Sequence, residues 1–385
     1  MVSQRLIAAA AATAIGATAW RGTVWTIGLT PLIPMLIFHQ PCRSAAGTVG
    51  ILYFAAASWP MMASARAFWS LPPTSPSPLT AWMTASLLLA LPWIMLWSSN
   101  RNQAISRCPL ALLVGALPPF GLIGWASPLA AAGVLFPGTN WLGVVTTATF
   151  PGAVLHRQLR RWAVPLAATL SFATNLTQTE PPTPQGWGAL NTSVDTASRS
   201  HPVFDFEAIQ SLQASAVRST SRFLLAPESA VLRWNEATSG LWQPAIEELR
   251  RRGATLLLGT TRAVAGGLEY QNLLLAVGTV PTAFVQRYPV PFAMWKPFGP
   301  KDGTVLRLTG RGTIDIGDHR AAVLVCYEQL LVWPILHSAL ERPTLILGIA
   351  NDYWCRDTHI PQAQQACLKA WARLFRLPVL TAVNQ

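Results

Sequence analysis

The first 179 residues contain no aspartate, glutamate or lysine. Their only charges are nine arginines; all sixteen acids, three lysines and the other sixteen arginines lie in 180–385. The net charge of +12 therefore divides into +9 (nine arginines, no acids) and +3 (nineteen cations, sixteen acids). A water-exposed surface is normally rich in charges of both signs. A half so poor in them is expected to be embedded in a membrane.

The apolar runs set the expected spans. A crossing helix needs about 20 mostly apolar residues. Runs at 6–20, 22–38, 44–65, 79–97, 108–125, 128–155 and 162–176 give about seven candidates in a membrane domain over 1–176. Trp69, Trp97, Trp125 and Trp162 stand near run ends, where interfacial tryptophans belong. With the N-terminus in the cytoplasm, Arg5, Arg43, Arg101, Arg107, Arg157, Arg160 and Arg161 fall on the cytoplasmic side and only Arg21 and Arg66 opposite. That bias places everything after residue 176 outside the cytoplasm. Residues 1–19 also read as a cleavable signal segment, with Arg5, an alanine-rich core and Ala17-Thr18-Ala19. Cleavage would leave the back half on the same side.

Two function classes are disfavoured. The arginines lie between apolar runs with no basic stripe of interleaved aromatics, so direct nucleic-acid binding is not expected. No ionisable residue falls within a span, whereas ion-coupled transporters and pumps place such groups at membrane depth. The front half reads as an anchor in the bilayer. Cys42 and Cys108, near run ends, need no function.

The back half changes pattern. Residues 177–202 begin as a Pro/Thr-rich linker, with GWGALNTSV (186–194) as a first strand. Helical rhythm appears at 206–220, 246–253 and 361–376, and strands at 223–227, 254–262, 270–278, 343–352 and 378–383. GTIDIGDHRAAVLVCYE (312–328) reads as a hairpin ending at a cysteine. Strands alternating with helices indicate an α/β layered domain over 186–385. There is no internal repeat and no phosphate-binding loop. His319, His337 and His359 lack metal-ligand spacing, and no metal or cofactor is expected. Cys355 and Cys367 are twelve residues apart; a disulfide and a buried thiol pair both remain open.

Three stretches each follow a strand-like run: LLAPESA around Glu228, VCYE around Cys326, and IANDYW over 349–354. Each should sit at a strand's carboxyl end, where α/β domains build sites. On its own, Cys326 reads as a small buried strand residue, Glu228 as a loop carboxylate or helix cap, and Asn351-Asp352 as strand-end scaffolding. Taken in order with Val290-Pro291-Phe292, these residues resemble the carbon–nitrogen hydrolase (nitrilase) superfamily. The layout is similar to its apolipoprotein N-acyltransferases, and more so to plasmid conjugal-transfer proteins that combine membrane helices with such a domain.

The resemblance implies an αββα nitrilase-like sandwich following a multi-span membrane domain, in the inner membrane with the α/β part in the periplasm. It implies Cys326 as nucleophile forming a thioester, Glu228 as general base, and Glu328 orienting or tuning the site. A lone thiol has a pKa of about 8.5 and needs such a base or a positive neighbour. A family lysine normally supports the acyl oxygen, and such support is worth roughly 2.7–4 kcal/mol per donor. Here that position is Gln286, with Arg287 beside it and Lys296 ten residues on. Arg287, always charged, is the first substitute considered; Lys296 is the second, and a site using neither remains open. The family's Gly-Glu after Val-Pro-Phe is replaced by Ala293-Met294. The implied function is an amidase or N-acyltransferase associated with conjugation, acting on a lipoprotein, peptide or acyl amide alongside conjugation-machinery proteins. A catalytically impaired scaffold in the mating apparatus is the alternative. The chain stops after the last expected strand, so a single tether is expected; oligomeric state stays open.

Overall fold

The computed structural model describes residues 2–72, 74–195 and 202–385. Positions 196–201 of the expected linker lie outside the described residues. Two compact units emerge. One takes the chain up to Glu180 together with Leu330–Trp333 and Asp357–Arg376; the other takes Pro181–Gln329, Pro334–Arg356 and Leu377–Gln385.

The N-terminal unit is helical: α1 (Val2–Ala19), α2 (Val24–Ile27), α3 (Leu32–Phe38), α4 (Arg43–Ser58), α5 (Pro60–Phe68), α6 (Ser77–Leu96), α7 (Ala104–Ala116), α8 (Ala132–Leu135), α9 (Trp141–Leu155) and α10 (Arg160–Leu176). Among the described residues, α6 alone is long and apolar enough to cross a membrane; α4 and α5 also qualify if their 49° bend is one broken span. Seven uninterrupted spanning helices are therefore not present among the described residues. The expected runs are broken where the backbone cannot continue a helix. Gly28 to Pro31 separates α2 from α3. Leu117, which precedes Pro118, is extended at φ −92° and ψ 149° and ends α7. Pro137 and Gly138, the latter at φ +74°, stand between α8 and α9.

The second stretch of chain runs β1 (Trp187–Ala189), α11 (Pro202–Arg218), β2 (Phe223–Leu225), α12 (Glu236–Arg251), β3 (Thr255–Ala263), β4 (Tyr270–Gly278), β5 (Thr282–Val285), β6 (Thr313–Ile316), β7 (His319–Val325), α13 (Val332–Leu340), β8 (Leu345–Asn351), α14 (Ile360–Phe375) and β9 (Val379–Asn384). They form two sheets, β1-β2-β3-β4-β5 and β6-β7-β8-β9. β1, β2 and β3 are parallel, as are β7, β8 and β9. Helix α12 starts ten residues before the expected rhythm because Asn235 caps it, its Oδ1 accepting the Thr238 N–H at 2.9 Å.

Strand alternation builds the core. Leu257, Leu274, Ala276 and Phe284 of the first sheet share one apolar cluster with Val323, Val325, Leu347 and Ile349 of the second. Residues one step away in sequence, Leu256, Leu258 and Val277, join Trp242 and Ile246 of α12 and Leu212 of α11 in a separate cluster on the outer face. Two facing sheets with helices outside at least one of them follow from this period-two division.

Helix α14, the crossover between β8 and β9, clusters with the N-terminal helices. It meets α8 at Gly133, where a Cβ would stand 1.6 Å from the Ala370 carbonyl oxygen. The buried Arg373 donates from Nε to Gly133 O at 3.2 Å and from Nη2 to Asn175 Oδ1 at 2.8 Å, with its guanidinium 4.6 Å from the Trp25 ring.

Candidate active site

The ends of five strands converge. Parallel strand β2 exits through Ala226-Pro227 to Glu228, β7 exits to Cys326, and β8 exits to Asn351-Asp352. From the antiparallel pair come Asn272 on β4 and Gln286 just after β5, joined by a Gln286 N–H to Asn272 carbonyl bond at 2.8 Å. The alternation that turns Leu274 and Phe284 inward turns Asn272 and Gln286 inward too.

Glu228 and Cys326, the expected base and nucleophile, are brought together: the thiol and the carboxyl share a hydrogen bond. Both are nearly fully buried. Cys326 has φ +49°, a left-handed conformation costly for a residue with a Cβ and one that surrounding structure must enforce. Ser229, next to the base, is likewise at φ +55°. Glu228 Oε1 accepts from Asn272 Nδ2 at 2.6 Å and Oε2 from the Asn351 N–H at 3.0 Å. The Glu228 loop lies against β3 at Gly259, where a Cβ would come within 2.4 Å of Glu228 Cα. Only glycine permits that approach.

Electrostatics favour neutral forms. Burial pushes the Glu228 carboxyl up, and the hydrogen bonds from Asn272, Cys326 and Asn351 oppose the shift. Burial also pushes the Cys326 thiol well up, reinforced by Glu228, Asp352 and Cys355. Asp352 is buried and raised to about 7, mainly by burial and then by Glu228. The Cys355 thiol lies 3.9 Å from Asp352 Oδ1. Such a thiol is not ionised at rest. A thiol in this state gains nucleophilicity only where a neighbouring base takes its proton, and the Glu228 carboxyl is the group in hydrogen-bond contact with it.

Glu328 and Arg287 pair with each other in the layer beneath. Glu328 Oε1 accepts the backbone N–H of Arg287 at 2.8 Å and of Tyr288 at 3.0 Å; Oε2 accepts that of Val325 at 3.0 Å. Burial raises this carboxyl while Arg287 and the three N–H groups lower it. The Arg287 guanidinium is spent on Val323 O, Pro334 O, Ser338 Oγ and His337 Nδ1. Lys296 lies elsewhere, its ammonium 2.8 Å from Asp302 Oδ1 on a partly exposed loop. Among the described residues, the hydrogen bonds and ion pairs of Arg287 and Lys296 go to groups other than Glu228 and Cys326.

Gln286, at the lysine position, is fully buried. Its Oε1 accepts from Asn272 Nδ2 at 3.0 Å and its Nε2 donates to Val325 O at 3.2 Å. Asn272, Gly259 and the closeness of Cys355 to the thiol were not foreseen from the sequence, whereas Asp352 belongs to the third strand-end stretch that was grouped with Cys326. Only the Tyr-Gln-Asn start of β4 hinted at a polar group on an otherwise apolar strand. None of the five cysteines is in a disulfide. Among the described residues no group of three His, Cys, Asp or Glu side chains is placed to hold a metal ion.

No family model matches the chain. The apolipoprotein N-acyltransferase of Methylococcus capsulatus is 24% identical over 314 residues, spanning 76% of this chain and 58% of that protein. A crystallised amidase from Nesterenkonia sp. is 15% identical over 54% of this chain and 80% of its own, with a TM-score of 0.38. The conjugal transfer protein TraB of Agrobacterium fabrum is 31% identical over 392 residues, spanning 96% of this chain and 90% of that protein. On that last similarity, which runs almost end to end, the chain belongs to the TraB family of conjugal transfer proteins.

Proposed function

We propose that this protein is a membrane-anchored acyl-transferring enzyme of the carbon–nitrogen hydrolase (nitrilase) type, an amidase or N-acyltransferase that serves conjugative plasmid transfer. The observation that carries the reading is the Glu228–Cys326 hydrogen bond, made by a cysteine held at φ +49°. In the first step Sγ attacks the acyl carbon as Glu228 takes the thiol proton. The tetrahedral adduct collapses to a thioester, and the leaving amine or alcohol departs with that proton. Water or an amine then attacks the thioester, Glu228 takes its proton, and Cys326 leaves as the thiol. Asn272 and the Asn351 N–H orient the carboxylate through both steps. Glu328 anchors the turn that carries Cys326.

The anchor is the N-terminal helical unit, in which α6 has the length and composition to span. The arginine bias supports an inner-membrane location with the α/β unit in the periplasm. There a lipoprotein, peptide or acyl amide is the substrate class considered, and conjugation-machinery proteins are the partners.

A second reading is favoured by one feature: Gln286 stands where the resemblance expects a lysine. On that reading the domain is a catalytically impaired scaffold in the mating apparatus. Incubation of the full-length protein with a p-nitrophenyl acyl ester, followed by mass mapping, separates the two. An adduct on Cys326 that is lost in Cys326→Ala and strongly slowed in Glu228→Gln supports the enzyme. Slow, equal labelling of accessible thiols in all three proteins supports the scaffold.

A further inference from the structure

Arg287 and Lys296 are both engaged by other partners among the described residues, and the geometry points to another group that can steady the acyl oxygen. We infer that Gln286 is a catalytic residue whose side-chain N–H stabilises the oxyanion, and that Asn272 is its positioning residue. The inference rests on the acyl-enzyme reading above.

The orientation of the amide is fixed by its neighbours. Asn272 Nδ2 has two protons: one goes to Glu228 Oε1 at 2.6 Å and the other to Gln286 Oε1 at 3.0 Å. Gln286 must therefore turn its nitrogen the other way, toward Val325 O at 3.2 Å. A flipped amide would set oxygen against oxygen there and nitrogen against nitrogen at Asn272. Val325 is the residue before Cys326, so Nε2 is tied to the backbone one residue from the nucleophile. Nε2 carries two protons, and Val325 O takes one. The second has no protein acceptor among the described residues, although Gln286 is fully buried. A buried donor without an acceptor is costly. That cost is recovered when a substrate oxygen takes the bond.

The electrons balance through this donor. As Sγ bonds to the acyl carbon, the carbonyl π pair moves onto oxygen, the thiol proton passes to Glu228, and the oxyanion accepts from Nε2–H. Collapse returns the pair, expels the leaving group with the proton from Glu228, and leaves Gln286 chemically unchanged. Asn272 couples the two halves of the site. One amide nitrogen holds both the base and the oxyanion donor, so their separation is fixed by a single side chain.

The test compares two reactions of Cys326 in the full-length protein. Acylation by a p-nitrophenyl ester builds an oxyanion; alkylation by iodoacetamide does not. Gln286→Met keeps the volume and removes the donor. It should slow acylation about 100-fold, the usual loss for one oxyanion donor, and leave alkylation near wild type. Wild-type acylation in Gln286→Met overturns the inference, as does an equal loss in both reactions, which would make Gln286 a packing residue. For Asn272→Ala, loss of a bond to the carboxylate should move the acid limb of the acylation–pH profile upward. A rate that drops equally at every pH overturns the positioning role. If Cys326→Ala keeps the ester burst, the acyl-enzyme reading itself fails, a separate outcome from either of these.

Discussion

Arg287 and Glu328 form an ion pair with no exposed side-chain surface, Nε to Oε1 3.6 Å. Breaking such a pair strands one charge in the interior, at a cost of about 3–5 kcal/mol, whereas replacing both partners with apolar residues is often near neutral. Arg287→Met or Glu328→Leu alone should each lower stability by that amount in denaturant titration. The double variant should recover only part of the loss, because the three backbone N–H groups that Glu328 accepts are left without an acceptor. Because Glu328 also holds the Val325 N–H, acylation should fall in the double variant even where stability returns.

Lys296 bears on the same question from the surface. Its ammonium is engaged by Asp302, and the pair is partly exposed. Exposed pairs contribute under about 1 kcal/mol. Lys296→Ala is expected to leave the ester-acylation rate within about twofold of wild type, as surface changes away from a site usually do. A large loss would restore Lys296 as the missing cation.

Gly259 should tolerate nothing larger. An alanine Cβ would stand 2.2 Å from Pro227 O and 2.4 Å from Glu228 Cα, both backbone atoms. Gly259→Ala is expected to cost about 1–3 kcal/mol through overpacking. Displacement of the base should also lower the acylation rate while iodoacetamide still reaches Cys326. Melting temperature and the two rate constants, measured together, check this.

Asp352 gives a pH dependence with a defined sign. Its pKa is about 7 folded against 3.8 in a model peptide. Between those values the folded protein holds a proton that the unfolded chain has released, so the group's contribution to stability falls as pH rises through that window. Asp352→Asn removes the titration. Its stability relative to wild type should therefore be higher at pH values above about 7 than near the reference value of about 3.9. Urea midpoints for both proteins at the two ends of the window read this out.

Much of the α/β half was legible because strand burial leaves a plain mark. Tyr270–Gly278 is the expected strand residue for residue, and the hairpin ending at Cys326 has β6 and β7 joined at Gly317 with φ +57°. The pairing of Glu228 with Cys326 was legible only through the ordered motifs, since nothing local brings them together. The polar link between them was not. Asn272 sits in a run that composition reads as apolar, and its partners are set by inter-strand register, which a single sequence does not encode openly. Strand β5 and helix α13 were missed because short apolar runs carry little period. In the front half, hydropathy alone overstated continuity: Gly28 to Pro31 and Pro137-Gly138 interrupt runs whose average polarity had suggested single crossings.

Helix α14 constrains any attempt to produce the α/β half in isolation. Twelve of the sixteen residues of α14 are buried, and Arg373, Ala370 and Leu374 hold it to Gly133, Gly138, Asn140 and Asn175. A fragment starting at Pro181 would still contain this helix, but without the groove that receives it. Such a polypeptide would enter solution with an oily stripe bared to water, so clumping on expression would report a missing neighbour and not an inability of the sandwich to fold.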